Sequence, residues 1–423
     1  MEKLTSFFSV LVAFAMTAHG ETLLLRGATV HTVAKGTLTP GDVLVRDGKI
    51  AAVAPRIDEA ADRTVDLAGQ HLFPGLIATA TDLGLVEISG VRATVDDRET
   101  GEFTPEVESW LAVNPDSELI PVARANGITH FVPVPQGKLL AGTSGLVATR
   151  GWTNEDMLVR RRTAMHLFWP GQWLTVPGPD APEKTKPLDE QARARREKVR
   201  AVEQFFADAE AWAKRPAGSP AVPAWEAMRP VLAGEIPLMI HADGQREIRT
   251  ALKWSESHPR LRLVLVGGRD AWMFADELAR RKVSVIYSEV FTLPPQGSDA
   301  YDVQFRAPSI LHRAGATLAI STGLADARNE RNLPYLAAQA AAFGLPADAA
   351  LAAITLVPAQ LHGVADRLGS IEPGKEATFF VATGDILEIR SEVKRLWIGG
   401  VEQSLESRHT RLSERYRARP SAQ

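Results

Sequence analysis

The stretch His71-Leu72-Phe73-Pro74-Gly75-Leu76-Ile77 divides the sequence into two kinds of pattern. It is a turn followed by an apolar run, and it reads as the first buried strand of a larger unit. Upstream, residues 22–26, 28–32, 42–46 and 49–53 are short apolar-rich runs, several of them alternating, set apart by Gly27, Pro40-Gly41 and Asp47-Gly48. Asp-Gly between such runs is a strong two-residue hairpin signal, so this part is a small β unit. Downstream, apolar runs recur at 128–134, 164–169, 236–241, 261–266, 283–288 and 316–321, most of them preceded by amphipathic stretches such as 117–126 and 271–282. Buried strands alternating with helices specify parallel βαβ units. The count fits an eight-stranded barrel, with residues 145–148 as the candidate for the strand that is harder to see.

Strand patterns return at 377–381, 386–390 and 393–398, with Gly399-Gly400 as a turn. Both chain ends are therefore expected to build one small β domain. The expected division is a signal segment at 1–20, a composite β-sandwich domain from 21–75 and 368–405, a barrel from 76–367 and a tail at 406–423. Within the barrel, 170–187 is rich in Pro and Gly and reads as an irregular loop. Residues 188–215 carry charges around an apolar stripe of Val199, Val202, Phe205, Phe206 and Trp212, the pattern of a barrel helix. The arginine-rich tail reads as a solvated terminal helix or a frayed end.

The 423 residues carry a net charge of -3, with 45% hydrophobic and 23% charged residues, which excludes a fibrous or wholly disordered chain. Basic residues (48) and acidic residues (51) nearly balance, so no nucleic-acid partner is expected. Cysteine is absent, which removes disulfides, thiolate metal sites and a cysteine nucleophile. Location has to be read at the N-terminus. Met1, Glu2 and Lys3 precede an uncharged run over 4–18, and Ala18-His19-Gly20 sets small residues where a signal peptidase reads. A cleaved secretory signal is expected, giving a periplasmic or secreted protein that begins near Glu21. The run is shorter than a membrane span, and no later segment is long enough to be one.

With Arg26-Gly27-Ala28 and Asp47-Gly48-Lys49-Ile50 in the β unit, Phe73-Pro74-Gly75-Leu76-Ile77 leading into the barrel, and Leu368-Gly369-Ser370-Ile371-Glu372-Pro373-Gly374-Lys375-Glu376-Ala377 closing it, the chain resembles the amidohydrolase superfamily. Within the superfamily it looks most like the imidazolonepropionase-like branch. The resemblance covers essentially the whole chain after the signal segment. It implies an α/β fold, a TIM-type (β/α)8 barrel beside a composite β-sandwich, and metal-assisted hydrolysis of C–N bonds other than ordinary peptides. In that family a His-x-His pair ends the first barrel strand and a lysine or glutamate follows on the fourth. Single histidines end the fifth and sixth strands, and an aspartate ends the eighth. Such a set holds Zn²⁺ or a similar divalent ion while leaving a position open for water.

Most of these positions are changed. In Ala78-Thr79-Ala80-Thr81-Asp82, Ala80 and Asp82 occupy the His-x-His positions. His241 keeps the fifth-strand histidine where the apolar run stops, Gly267-Gly268 replaces the sixth-strand histidine, and Gly323 in Ser321-Thr322-Gly323 replaces the aspartate. The remaining metal candidates are His241, Asp82 and His166, and the catalytic candidates are His241 as ligand or general acid/base with Asp326 or Glu289 as proton carrier. For His166 a hydrogen-bonded core histidine is the simpler reading. Arg306, Arg328 and Arg331 are alternative partners for Glu289 and Asp326. The small-residue stretches 135–137 and 141–145 read as loops where backbone N–H groups can approach an anion, without the spacing of a nucleotide loop. Three functions stay open. One is a hydrolase of a small amide, cyclic ones included, with a reduced or rebuilt metal site. Another is a non-catalytic barrel that binds a small molecule, and the third is a metal-independent hydrolase or isomerase that uses the carboxylates alone. Association into a homo-oligomer is also open, with Trp110, Trp152, Trp169 and Trp173 as candidate exposed contacts.

Overall fold

The structure, a computed structural model, describes residues 21–177, 185–216, 220–324 and 327–419. The expected signal segment lies outside the described residues.

The chain opens with β1 (Leu23–His31), β2 (Thr37–Arg46), β3 (Lys49–Ala54), β4 (Arg63–Asp66) and β5 (His71–Pro74). Asp47 and Gly48 take φ of 50° and 72°, the left-handed pair that a tight hairpin needs, and they join β2 to β3. Strand β1 runs through Gly27 as one element with a register irregularity, where two separate strands were expected. Between β5 and the next strand the chain leaves one sheet for another at Gly75. A β-carbon there would stand 2.1 Å from Thr129 Oγ1, so only glycine passes this point.

The second sheet holds β6 (Leu76–Thr81), β7 (Ile128–Pro133), β8 (Leu140–Ala148), β9 (Leu158–Phe168), β10 (Leu238–Ala242), β11 (Leu263–Gly267), β12 (Ser284–Tyr287) and β13 (Leu318–Ile320). Hydrogen bonding follows chain order throughout. This is the TIM-type barrel, with one departure: β8 runs antiparallel to both neighbours. Only residues 134–139 join β7 to β8, too few for the crossover a parallel pair requires. The glycine-containing stretch 141–145, expected to be a loop, lies inside β8. Among the described residues no ladder joins β13 to β6. Instead Ser321 Oγ donates to the Ala80 carbonyl at 3.1 Å, while the carbonyls of Ile354 and Ala353 accept from the N–H groups of Ile77 and Ile320 at 3.0 Å each. One short segment thus ties both edge strands.

Strands β14 (Phe379–Ala382), β15 (Val393–Ile398) and β16 (Val401–Gln403) return to the first sheet, where β14 pairs with β5. Residues 386–390 form a turn, where a strand was expected. The Asp385 side chain accepts the Leu387 N–H at 3.0 Å, its carbonyl accepts from Ser391 Oγ, and Ile389 is exposed. Such local side-chain bonds compete with a ladder and win here.

Inside the barrel Ala80, Val134, Ala164, Met239, Val264, Val266, Ile286 and Ala319 pack together as a filled lumen. Outside it, the helix Leu188–Ala213 buries Val202, Phe206, Ala209 and Trp212 on one stripe. Trp110 and Trp169 are core residues, while Trp152 and Trp173 are exposed. The described part of the tail is the helix Arg408–Arg417, capped by Ser407 and paired to the body through Arg411 and Glu118 at 2.9 Å. No helix among the described residues is long and apolar enough to cross a membrane.

Candidate active site

The strands of a barrel present their last residues at one face, and alternate residues point into the lumen. On β6 that alternation is broken by Ala80, whose φ is 56°. Ala80 packs in the lumen, and Thr81 turns outward to the Glu330 carboxylate. Around the same face the chain supplies Asp82, Asp243, Gly267-Gly268, Ser288-Glu289 and Ser321-Thr322-Gly323 at or directly after the ends of β6, β10, β11, β12 and β13.

Three pairs of ionisable groups form. In the first, His166 Nδ1 on β9 lies 2.9 Å from His241 Nε2 on β10, and His166 Nε2 lies 2.9 Å from Ser144 Oγ on β8. His166 is fully buried, whereas His241 keeps a partly exposed edge and stacks on Phe168 with ring centres 4.1 Å apart. Burial pulls the His241 pKa down to about 3. Burial, followed by the nearby His241 and His362, puts His166 well below the ordinary range. Both rings are neutral at physiological pH.

The second pair is Asp243 with Glu289. A β-carbon on Gly267 would stand 2.2 Å from Asp243 Oδ1, so the glycine makes the room this carboxylate uses. Burial, reinforced by the charge of Glu289 and opposed by Arg269, pushes Asp243 up to about 6. Ser288 Oγ donates to Glu289 Oε1 at 3.1 Å. Glu247 fixes the backbone beneath: its Oε2 accepts the N–H of Asp243 at 3.2 Å and of Gly244 at 3.1 Å, and its Oε1 accepts the N–H of Gln172 at 3.1 Å. One side chain therefore caps the helix Gln245–Ser255 and ties the loop after β9 to the end of β10.

The third pair is Asp82 with Glu330, both buried. Glu330 accepts from Thr322 Oγ1 at 2.7 Å and from Thr81 Oγ1, so it joins the first barrel strand to the last. Burial is the main cause that lifts its pKa to about 7, with Asp82 adding and the two threonine bonds opposing.

Of the candidates read from the sequence, His241 and His166 are thus in contact, Glu289 stands beside Asp243, and Asp82 stands beside Glu330. Asp326 lies outside the described residues. Arg306 pairs with Asp302 at 3.8 Å. Asp243 and Glu330 were missed. Asp243 carried a signal, since it follows His241 by two residues at a strand end. Glu330 carried none, because its partners lie 249 and 8 residues away.

The donor set does not fit the metal centre that the family resemblance implies. Ala80, Gly268 and Gly323 bring no donor side chain to their positions.

A family model described as "Amidohydrolase family" matches residues 153–402. A solved amidohydrolase from Thermotoga maritima is 26% identical with a TM-score of 0.73, over 90% of this chain and 99% of that one. Among curated proteins, Amidohydrolase tasK of Hapsidospora irregularis is 23% identical over 394 residues, 86% of this chain and 40% of its own length. An allantoinase of Bacillus velezensis is 40% identical over 55 residues, 13% of this chain and 12% of its own. The chain thus spans less than half the length of these curated relatives.

Proposed function

The chain belongs to the amidohydrolase family, and on that premise we propose that it hydrolyses carbon–nitrogen bonds other than peptide bonds in a small amide, cyclic ones included. The observation that carries this reading is the Asp243–Glu289 carboxyl pair at the ends of β10 and β12, one member of which titrates near 6. A carboxyl with a pKa near the working pH both accepts and returns a proton efficiently. Asp243 takes a proton from water as the water oxygen bonds to the substrate's carbonyl carbon. It then returns that proton to the departing nitrogen as the C–N bond breaks, leaving a carboxyl and an amine. Glu289 acts through charge, keeping the proton affinity of Asp243 high. His241, neutral and held by stacking and a hydrogen bond, orients the substrate from the adjacent position on β10. The relatives named amidohydrolase and allantoinase support the bond class. The end motifs favour the imidazolonepropionase-like branch, and the N-terminal run favours export to the periplasm or medium.

The test is steady-state hydrolysis across a panel of five- and six-membered cyclic amides and N-acyl amines, with the parent beside Asp243→Asn. Turnover of at least one member that falls by a hundredfold or more in the variant supports the reading. No turnover of any member overturns it. Ala80, Gly268 and Gly323 favour a second reading, a barrel that binds such a molecule without cleaving it. It is distinguished by saturable binding of a panel member without turnover.

A further inference from the structure

We infer that His166 is a positioning residue for His241: it hydrogen-bonds His241 Nε2 and fixes that ring in one tautomer, with Nδ1 bare toward the site. The contact is a hydrogen bond by distance, 2.9 Å between His166 Nδ1 and His241 Nε2. One of the two facing nitrogens must carry the hydrogen.

The arrangement is built across three neighbouring strands. His166 faces Gly142 of β8 on one side and Met239 of β10 on the other. Its Nε2 meets Ser144 Oγ at 2.9 Å, and Ser144 Oγ lies 3.4 Å from Thr163 Oγ1, which also bonds the Ser144 carbonyl at 3.2 Å. Thr163 Oγ1 spends its one hydrogen on the Ser144 carbonyl, so the row runs one way: Ser144 Oγ donates to Thr163, His166 Nε2–H donates to Ser144, and His241 Nε2–H donates to His166 Nδ1. The second ring nitrogen of a histidine sets which tautomer the first adopts. Phe168 covers the His241 face at 4.1 Å and limits its rotation. Among the described residues no protein group bonds His241 Nδ1, which leaves that atom for a substrate. This holds whether or not the Asp243–Glu289 pair cleaves anything, so it can fail separately from the proposed activity.

The experiment uses the full chain after dialysis against a chelator. Long-range ¹⁵N–¹H spectra of histidine-labelled protein are expected to show His241 as one neutral tautomer. In His166→Ala that signature is expected to move to a tautomer mixture, with the signals of His31 on β1 and the far-ultraviolet circular dichroism unchanged. An unchanged His241 tautomer in His166→Ala would overturn the inference. The parent spectrum needs no variant: His241 with its hydrogen on Nδ1, or as a tautomer mixture, overturns it even where His166→Ala does not fold.

Discussion

Gly267 leaves the space that the Asp243 carboxylate fills: a β-carbon on Gly267 would stand 2.2 Å from Asp243 Oδ1. Its φ of 88° is also one that side-chain-bearing residues rarely adopt. Gly267→Ala is therefore expected to displace the carboxylate and to cost about 1–3 kcal/mol of stability through overpacking and strain. Hydrolysis should fall at least tenfold in kcat beyond what the urea midpoint explains. A variant with parental kcat would show that the position of Asp243 does not matter to turnover.

Glu247 accepts three backbone N–H groups, from Asp243, Gly244 and Gln172. Glu247→Ala leaves these donors to water and releases the loop after β9 from the end of β10. The expected loss is about 1–2 kcal/mol, within the range for an N-cap. Limited proteolysis should cut within residues 170–177 faster than in the parent, and KM should rise more than kcat falls. Equal cleavage of parent and variant would count against the tie.

Glu330 gives a pH dependence with a definite sign. Its folded pKa is raised from 4.5 to about 7, chiefly by burial, so the folded state holds the proton more tightly than the unfolded chain. Its contribution is fully present below pH 4.5 and is lost as pH rises through 7. Glu330→Gln keeps a neutral partner for Thr81 and Thr322 at every pH. The stability of the variant relative to the parent, from urea midpoints, is expected to be higher at pH 8 than at pH 5. A difference that does not change with pH would remove the raised pKa.

The buried histidines act in the opposite sense. Burial lowers His130, His241 and His362 from 6.5 to about 3, and His31 to about 4. The unfolded chain gains protons first as pH falls, so stability is full above 6.5 and declines progressively toward 3. Thermal unfolding is expected to shift downward steadily between pH 6.5 and 4, and His362→Gln should flatten that slope. A midpoint independent of pH over this range would contradict the neutral assignment of these rings.

What could be read from the sequence was governed by local rules. Asp47-Gly48 gave its hairpin, Gly75 its passage between sheets, and His241 its place where an apolar run ends. Strand β8 was largely hidden because Gly142 and Gly145 resemble loop residues, and its reversed direction depends on the length of the preceding connection. Residues 386–390 resembled a strand until the side chain of Asp385 closed a turn. The site was less legible than the fold for one physical reason. The proton affinities of Asp243 and Glu330 are set by Gly267, Glu289 and Thr81, which are distant in sequence and meet only in the folded barrel.

The central claim is that C–N hydrolysis here runs on the chain's own carboxyls without the family metal centre. It is tested most directly by the hydrolysis rate of the best panel substrate, measured after exhaustive chelation and again with added Zn²⁺ or Mn²⁺. The expected result is a rate unchanged by chelator or metal, rising with pH through an apparent pKa near 6 and lost in Asp243→Asn. A rate that disappears on chelation and returns with one equivalent of metal would contradict it.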